Sequence, residues 1–264
     1  MSHDNPEDSN ITIGIIGFGA FGQLIARHVA PLFRMLAFDP APDVAAIAQH
    51  FGVVPASLEA VASCPVVVLA MPVERLESVV EAIAPHIQRG ALVLDVGSVK
   101  AGPARIMQTR LPGYADIVAT HPLFGPQSAR EGIAGLKIAV CAVRGSGHLR
   151  VGAFLRRHLR LTVIMTTPED HDREAATVQG LTHLIAKVLV EMEPLPTRMT
   201  TRSFDLLLQA VEMVRHDAPE VFTAIERANP YAAGVRKRFF ELASALEAEF
   251  VEAGGPVLED HTGP

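Results

Sequence analysis

The stretch Ile11-Thr12-Ile13-Gly14-Ile15-Ile16-Gly17-Phe18-Gly19-Ala20-Phe21-Gly22-Gln23-Leu24-Ile25-Ala26-Arg27 decides the fold. Its first six residues form an apolar, β-branched run of the kind found in buried parallel strands. The helical period that follows meets no proline before Pro31. Three glycines therefore stand between a strand and a helix. Gly17 permits the tight turn, Gly19 lets the backbone approach a pyrophosphate, and Gly22 lets the helix pack closely on the strand. The free N–H groups at the helix start then face the phosphates. A second apolar run, Met35-Leu36-Ala37-Phe38, ends in Asp39, about twenty residues beyond the turn. A carboxylate there can accept both ribose hydroxyls and would repel a 2′-phosphate, so the pattern predicts NAD over NADP. Phe21, inside the turn, is grouped with Gly17, Gly19, Gly22 and Asp39 as cofactor-binding.

Working outward, the same alternation continues. Residues 43–50 have helical character, and Ser57 is placed to cap a short helix at 58–62. Val66-Val67-Val68-Leu69-Ala70 reads as a strand ended by Met71-Pro72, which at a strand tip would lie against the cofactor. A helix is predicted over 73–87, a strand over 91–96, a helix over 103–110 and a strand over 117–120. Further strands are expected at 136–142 and 161–166 around a helix at 147–159. Strands alternating with helices imply a doubly wound parallel sheet with ligands beyond the carboxyl ends of its strands. Gly17, Asp39, Met71, Ser98 and His121 all fall at such ends.

After Thr166 the character changes. Thr167-Pro168-Glu169-Asp170 combines a capping residue, a proline at the first helical position and acids in the first turn. No strand is predicted beyond it; helices are expected at about 168–193, 199–216, 219–228 and 230–252. The expected architecture is an α/β dinucleotide-binding domain of Rossmann type over 11–167, followed by a smaller all-α domain over 168–252. The segments 1–10 and 253–264 are expected to be loose tails. Wide apolar faces on the later helices (Phe204, Leu207, Leu208, Val211; Phe239, Leu242, Ala243, Leu246, Phe250) predict a homodimer built on the helical domain.

With 264 residues, a net charge of −6 and 49% hydrophobic residues, the chain has no electrostatic reason to bind nucleic acid. Arg236-Lys237-Arg238 reads as a solvated helix face. Neither a leader peptide nor a membrane span is recognised, which points to the cytosol. Cys64 and Cys141 sit in apolar runs and read as core residues, with no metal site.

His121, directly after a strand, is the expected general base, since imidazole titrates near neutrality. Ser98 either binds a substrate hydroxyl or caps the helix after it. Gln179, His183 and Lys187 are spaced by four on the long helix and share a face. Asp172, in that helix's first turn, suits the helix dipole irrespective of function.

At IGFGAFG, DVGSVK (95–100), ATHPLFGP (119–126) and HDREAATVQGLTH (171–183) the chain resembles the prephenate/arogenate dehydrogenases of tyrosine biosynthesis. HPLFGP and TTRSFDLLL (200–208) look closest to arogenate-type members, including plant ones. The resemblance covers roughly residues 11–250. It implies that His121 is the catalytic histidine, Ser98 the hydroxyl-binding serine and His183 a second substrate-pocket histidine; Gln179, one turn before His183 on the same face, is expected to bind substrate with it. It further implies hydride transfer to NAD, proton uptake by His121 and loss of CO₂ on aromatisation. Prephenate-specific members carry a carboxylate-clamping arginine on the next helix. Here Glu212 falls at that register with Arg215 nearby, and a carboxylate cannot replace an arginine. Asp217 is the expected partner of the arogenate ammonium. Two other readings compete: a β-hydroxyacid-type NAD dehydrogenase using Lys187, and a non-catalytic NAD-sensing protein, for which no appended sensing domain is recognised.

Overall fold

Each apolar run becomes a strand of one eight-stranded sheet in a computed structural model that describes residues 11–252. The order of elements is β1 (Thr12–Ile16), α1 (Ala20–Val29), β2 (Arg34–Phe38), α2 (Val44–His50), β3 (Val54–Pro55), α3 (Leu58–Ala62), β4 (Val66–Leu69) and α4 (Leu76–Ile83). Then come β5 (Leu92–Asp95), α5 (Ala101–Arg110), β6 (Asp116–Pro122), β7 (Lys137–Arg144), α6 (Gly147–Arg157) and β8 (Thr162–Thr166). The remaining elements are helical: α7 (Pro168–Glu191), α8 (Arg202–Val214), α9 (Pro219–Thr223) with a π turn at Ala224–Ala228, and α10 (Ala232–Glu252). The expected tails, 1–10 and 253–264, lie outside the described residues.

The strand order is β3-β2-β1-β4-β5-β6-β7-β8. Strands buried on both faces alternate between two cores. Val93, Ile117 and Ala119 pack with Val61, Val80 and Met107 of α3, α4 and α5. Leu94 and Val118 pack on the opposite side with Leu24 of α1 and Leu155 of α6. This alternation is why runs with no polar residue were readable as strands.

The structure corrects three expectations. First, β7 runs antiparallel to β6, with His121 opposite Ala139. The connection between them contains no crossover helix, which a parallel return would ordinarily need. Second, the helix expected over 73–87 is α4 flanked by 3₁₀ turns at Val73–Arg75 and Ala84–His86, the latter containing Pro85. Third, β3 at Val54–Pro55 adds a short edge strand paired with β2, and a proline is tolerated at such an edge. The two side-chain caps read from sequence are present: Ser57 Oγ accepts from Ala60 N (3.3 Å) and Thr167 Oγ1 from Asp170 N (3.1 Å). Among the described residues no helix is long and apolar enough to cross a membrane.

Candidate active site

The glycine turn is built by backbone geometry. Gly17 has φ +94°, and a Cβ there would lie 2.6 Å from the Ala70 carbonyl, so the turn presses against the strand end that carries Met71 and Pro72. Only glycine fits both demands. A Cβ on Gly22 would stand 2.3 Å from the Gly17 carbonyl oxygen, which keeps α1 tight on the turn. Gly19, the N-cap of α1, is the exception: a Cβ there would meet nothing within 4 Å, and no side chain caps the helix. The open space lies where a pyrophosphate would sit, and the first N–H groups of α1 remain for it. The residues therefore fit a dinucleotide. Asp39 Oδ2 accepts from Phe18 N (2.7 Å) and Oδ1 from Ala41 N (2.9 Å), so the carboxylate is fixed beside the turn. Phe21 turns its ring toward Phe124, 6.5 Å away between centroids, and packs in the core shared by α1 and α6.

His121 is delivered by β6 and is 3% exposed. Its Nδ1 lies 2.8 Å from Nε2 of His171, in the first turn of α7, and the two rings meet edge to face. His171 Nδ1 lies 2.8 Å from Asp172 Oδ1. Asp172 in turn caps α5 from a distance: Oδ1 accepts from Lys100 N (2.7 Å) and Oδ2 from Ala101 N (2.9 Å). The start of α7 is thereby fastened to the start of α5, and Asn229 Nδ2 donates to the Asp172 carbonyl (2.7 Å) from the far side. Beneath this row, fully buried Lys100 bonds Asp95 through Nζ and donates to the Thr120 carbonyl (2.7 Å). Burial pushes the Asp95 carboxyl up from its ordinary value, against the pull of Lys100.

Burial holds His121 well below the ordinary histidine value, and the charge of His171 when that ring is protonated, and of Lys100, pushes it the same way. It is therefore a free base at neutral pH. Gln179 Nε2 stands 3.4 Å from His121 Nε2, and the Gln179 Oε1 atom is buried without a partner. One helical turn on, His183 Nδ1 donates to the Gln179 carbonyl (3.0 Å), and its Nε2 faces Asp217 Oδ2 at 3.2 Å. A Cβ on Gly125, in the loop after His121, would come within 3.8 Å of Asp217 Oδ1. The structure thus brings His121, Gln179, His183 and Asp217 into one region.

Other expected residues lie differently. Ser98 is half-buried between Asp95 and Lys100, and among the described residues its hydroxyl makes no hydrogen bond. It does not cap α5, whose N-cap is Lys100 and whose N–H groups go to Asp172. Lys187 does not share the inward face of Gln179 and His183; it is 63% exposed and 3.7 Å from Glu191. Glu212 is exposed, and Arg215 is committed to Glu193 (2.9 Å) and Glu212 (3.4 Å). Arg236 and Lys237 pair with Glu226 and Glu241. Burial pushes the Cys141 thiol up to about 12 and raises Cys64 too, in keeping with inert core cysteines. Among the described residues no group of three or more His, Cys, Asp or Glu is arranged to hold a metal ion.

Residues 27–137 match the family described as "Prephenate dehydrogenase, nucleotide-binding domain". Arogenate dehydrogenase 2, chloroplastic, of Arabidopsis thaliana is 30% identical over 241 residues, 86% of this chain and 66% of that protein. The chain belongs to the prephenate/arogenate dehydrogenase family. Arogenate dehydrogenase 1, chloroplastic, of the same plant is 27% identical over 92% of this chain but only 40% of its own length, so the chain spans part of these relatives. Among solved structures, prephenate dehydrogenase from A. aeolicus, in complex with hydroxyphenyl propionate and NAD+, superposes with a TM-score of 0.74 at 19% identity. It covers 93% of this chain and 92% of that one, a likeness of fold.

Proposed function

We propose that this chain catalyses the NAD-dependent oxidative decarboxylation of arogenate, with prephenate as the poorer substrate, in tyrosine biosynthesis. The observation that carries this reading is His121: a buried imidazole at the carboxyl end of β6, on the sheet edge where the glycine turn and Asp39 also lie, with burial favouring its neutral form. NAD, when bound, supplies the hydride acceptor. Gly17, Gly19, Gly22 and the start of α1 would hold its pyrophosphate and Asp39 its adenosine ribose, with Phe21, Met71 and Pro72 as further cofactor-side residues. His121 takes the proton of the ring hydroxyl as hydride leaves the same carbon. The electron pair of the ring–carboxylate bond then enters the ring, CO₂ departs, and His121 returns the proton to the new phenol oxygen. Ser98 binds that oxygen in the ground state. The protein's contribution is positioning and the custody of one proton.

The preference for arogenate rests on Asp217. An ammonium needs an acceptor, preferably anionic, and Asp217 stands beside His183 with its second oxygen toward Gly125. Arg215, the cation near the prephenate-type register, is drawn off by Glu193. NADH formation from purified arogenate and prephenate, each with NAD and with NADP, tests the reading. Turnover with NAD and arogenate is expected to be fastest; a preference for NADP or for prephenate overturns the assignment of Asp39 or Asp217 respectively.

We further take 11–167 as the nucleotide-binding unit and 168–252 as the dimerisation unit of a cytosolic homodimer. Residues 241–252 of α10 are exposed throughout, with Leu242, Leu246 and Phe250 on one stripe. Sedimentation should give twice 28.3 kDa; the single-chain mass at micromolar concentration refutes the dimer.

A further inference from the structure

We propose that His171 and Asp172 are positioning residues that fix His121 in the tautomer whose Nε2 carries the lone pair. The inference rests on the reading of His121 as the base and adds how that base is prepared.

At Asp172 the donors are unambiguous. Its two oxygens accept backbone N–H groups from Lys100 and Ala101, which have no alternative but to donate. Both oxygens are already acceptors, so His171 Nδ1 is the donor in the 2.8 Å contact with Oδ1. That leaves Nε2 of the same ring to act as the acceptor. That atom lies 2.8 Å from His121 Nδ1, which must supply the hydrogen. His121 is neutral as well, so its remaining nitrogen, Nε2, is the acceptor. The Gln179 amide agrees, since it presents its NH₂ group to that atom. Backbone N–H groups at the start of α5 thus determine, through two imidazoles, which nitrogen of His121 can take a proton. A lone imidazole carries no such instruction, because either nitrogen can hold the hydrogen.

The arrangement also serves the proton-bearing state. When Nε2 takes the hydroxyl proton, the charge spreads over a ring whose Nδ1–H already points at an acceptor, and that acceptor is itself hydrogen-bonded to a carboxylate. No group has to turn during the step, so the stabilisation is in place before the charge develops. The proton that leaves the substrate oxygen stays on Nε2 and returns to that oxygen, so the relay gains and loses no net proton.

The test is ¹⁵N NMR of histidine-labelled protein, which distinguishes protonated from lone-pair ring nitrogens, run alongside turnover of arogenate and prephenate. In the unsubstituted protein at neutral pH, His121 should show a protonated Nδ1 and a bare Nε2. His171→Leu removes the acceptor and should shift His121 toward the Nε2–H form. In the same variant kcat should fall about 10²–10³-fold, the size of effect typical of a general base made ineffective, with NAD affinity unchanged. His171→Gln keeps an acceptor oxygen within reach and should retain both the tautomer and more of the turnover than His171→Leu. A bare Nδ1 in the unsubstituted protein, or a tautomer unchanged in His171→Leu, overturns the inference whatever the turnover. A shifted tautomer with undiminished turnover leaves the relay standing and overturns instead the reading of His121 as base. The unsubstituted spectrum decides the tautomer even if a variant does not fold.

Discussion

At the glycine turn the chain builds its site from neighbours in sequence: Gly17, Gly19 and Gly22 shape the backbone, and Asp39 reaches Phe18 N across only 21 residues. Around His121 the reverse holds. Its partner His171 is 50 residues away, and Asp172 reaches back 72 residues to Lys100 N. One region depends on what glycine permits, the other on two helices and a strand meeting with their ends together. The first should tolerate changes in the helical segment and fail on the addition of one methyl group. The second should tolerate nothing that moves α7 against α5.

The largest separation of the two regions is expected from His121→Asn. Removing a general base costs roughly 10²–10⁴-fold, so kcat for NADH formation should fall by that order while the Kd for NAD, measured by calorimetry, stays nearly the same. Parallel loss of NAD binding would mean that the two regions are one structural unit and that His121 serves the fold. The converse change, Gly17→Ala, sets a Cβ 2.6 Å from the Ala70 carbonyl at φ +94°. Denaturant titration should show about 1–3 kcal/mol less stability, with NAD affinity reduced. An unaffected protein would show that this turn is looser than its contacts require.

A smaller effect sharpens the comparison inside the His121 region. Asp217→Asn should lower kcat/KM for arogenate about 10- to 100-fold, the size of one charge-assisted hydrogen bond, and spare prephenate. Equal losses on both substrates would make Asp217 a partner of His183 alone.

How much was legible in the sequence follows the same division. Interactions that close within a few residues carry their own signature, as the glycine turn and the Ser57 and Thr167 caps do. Their geometry is fixed by local backbone, so spacing was enough. Asp172 was legible only as an acid in a first turn, because its helix-dipole role is local whereas its capping of α5 depends on tertiary packing. His171 beside it carried one signal that could have been used: adjacent His and Asp at a helix start, directly after the last strand. Lys100 and Asp95, five residues apart across a strand tip, likewise gave a clue to a buried ion pair. The face of α7 shows the limit of periodicity. Gln179, His183 and Lys187 share a spacing of four, yet only the first two turn toward His121 and Asp217, while Lys187 remains at the surface. A period assigns residues to a face, but which face is covered, and how far along the helix, depends on the neighbours.

The account turns on a buried imidazole that is unprotonated at neutral pH, and the pH dependence of kcat/KM for NADH formation from arogenate tests it most directly. The titratable groups that act on His121 are His171 from α7 and Lys100 at the start of α5, the latter paired with Asp95. Burial, reinforced by the charge of Lys100 and of His171 when it is protonated, depresses its value well below 6.5. The free-enzyme profile should therefore stay flat as pH falls through 6.5, and decline only once His121 itself takes up a proton at lower pH. His121→Asn should remove that acid limb. A decline with its midpoint at or above 6.5 that disappears in His121→Asn would contradict the account, because His121 would then be an exposed or charge-stabilised histidine.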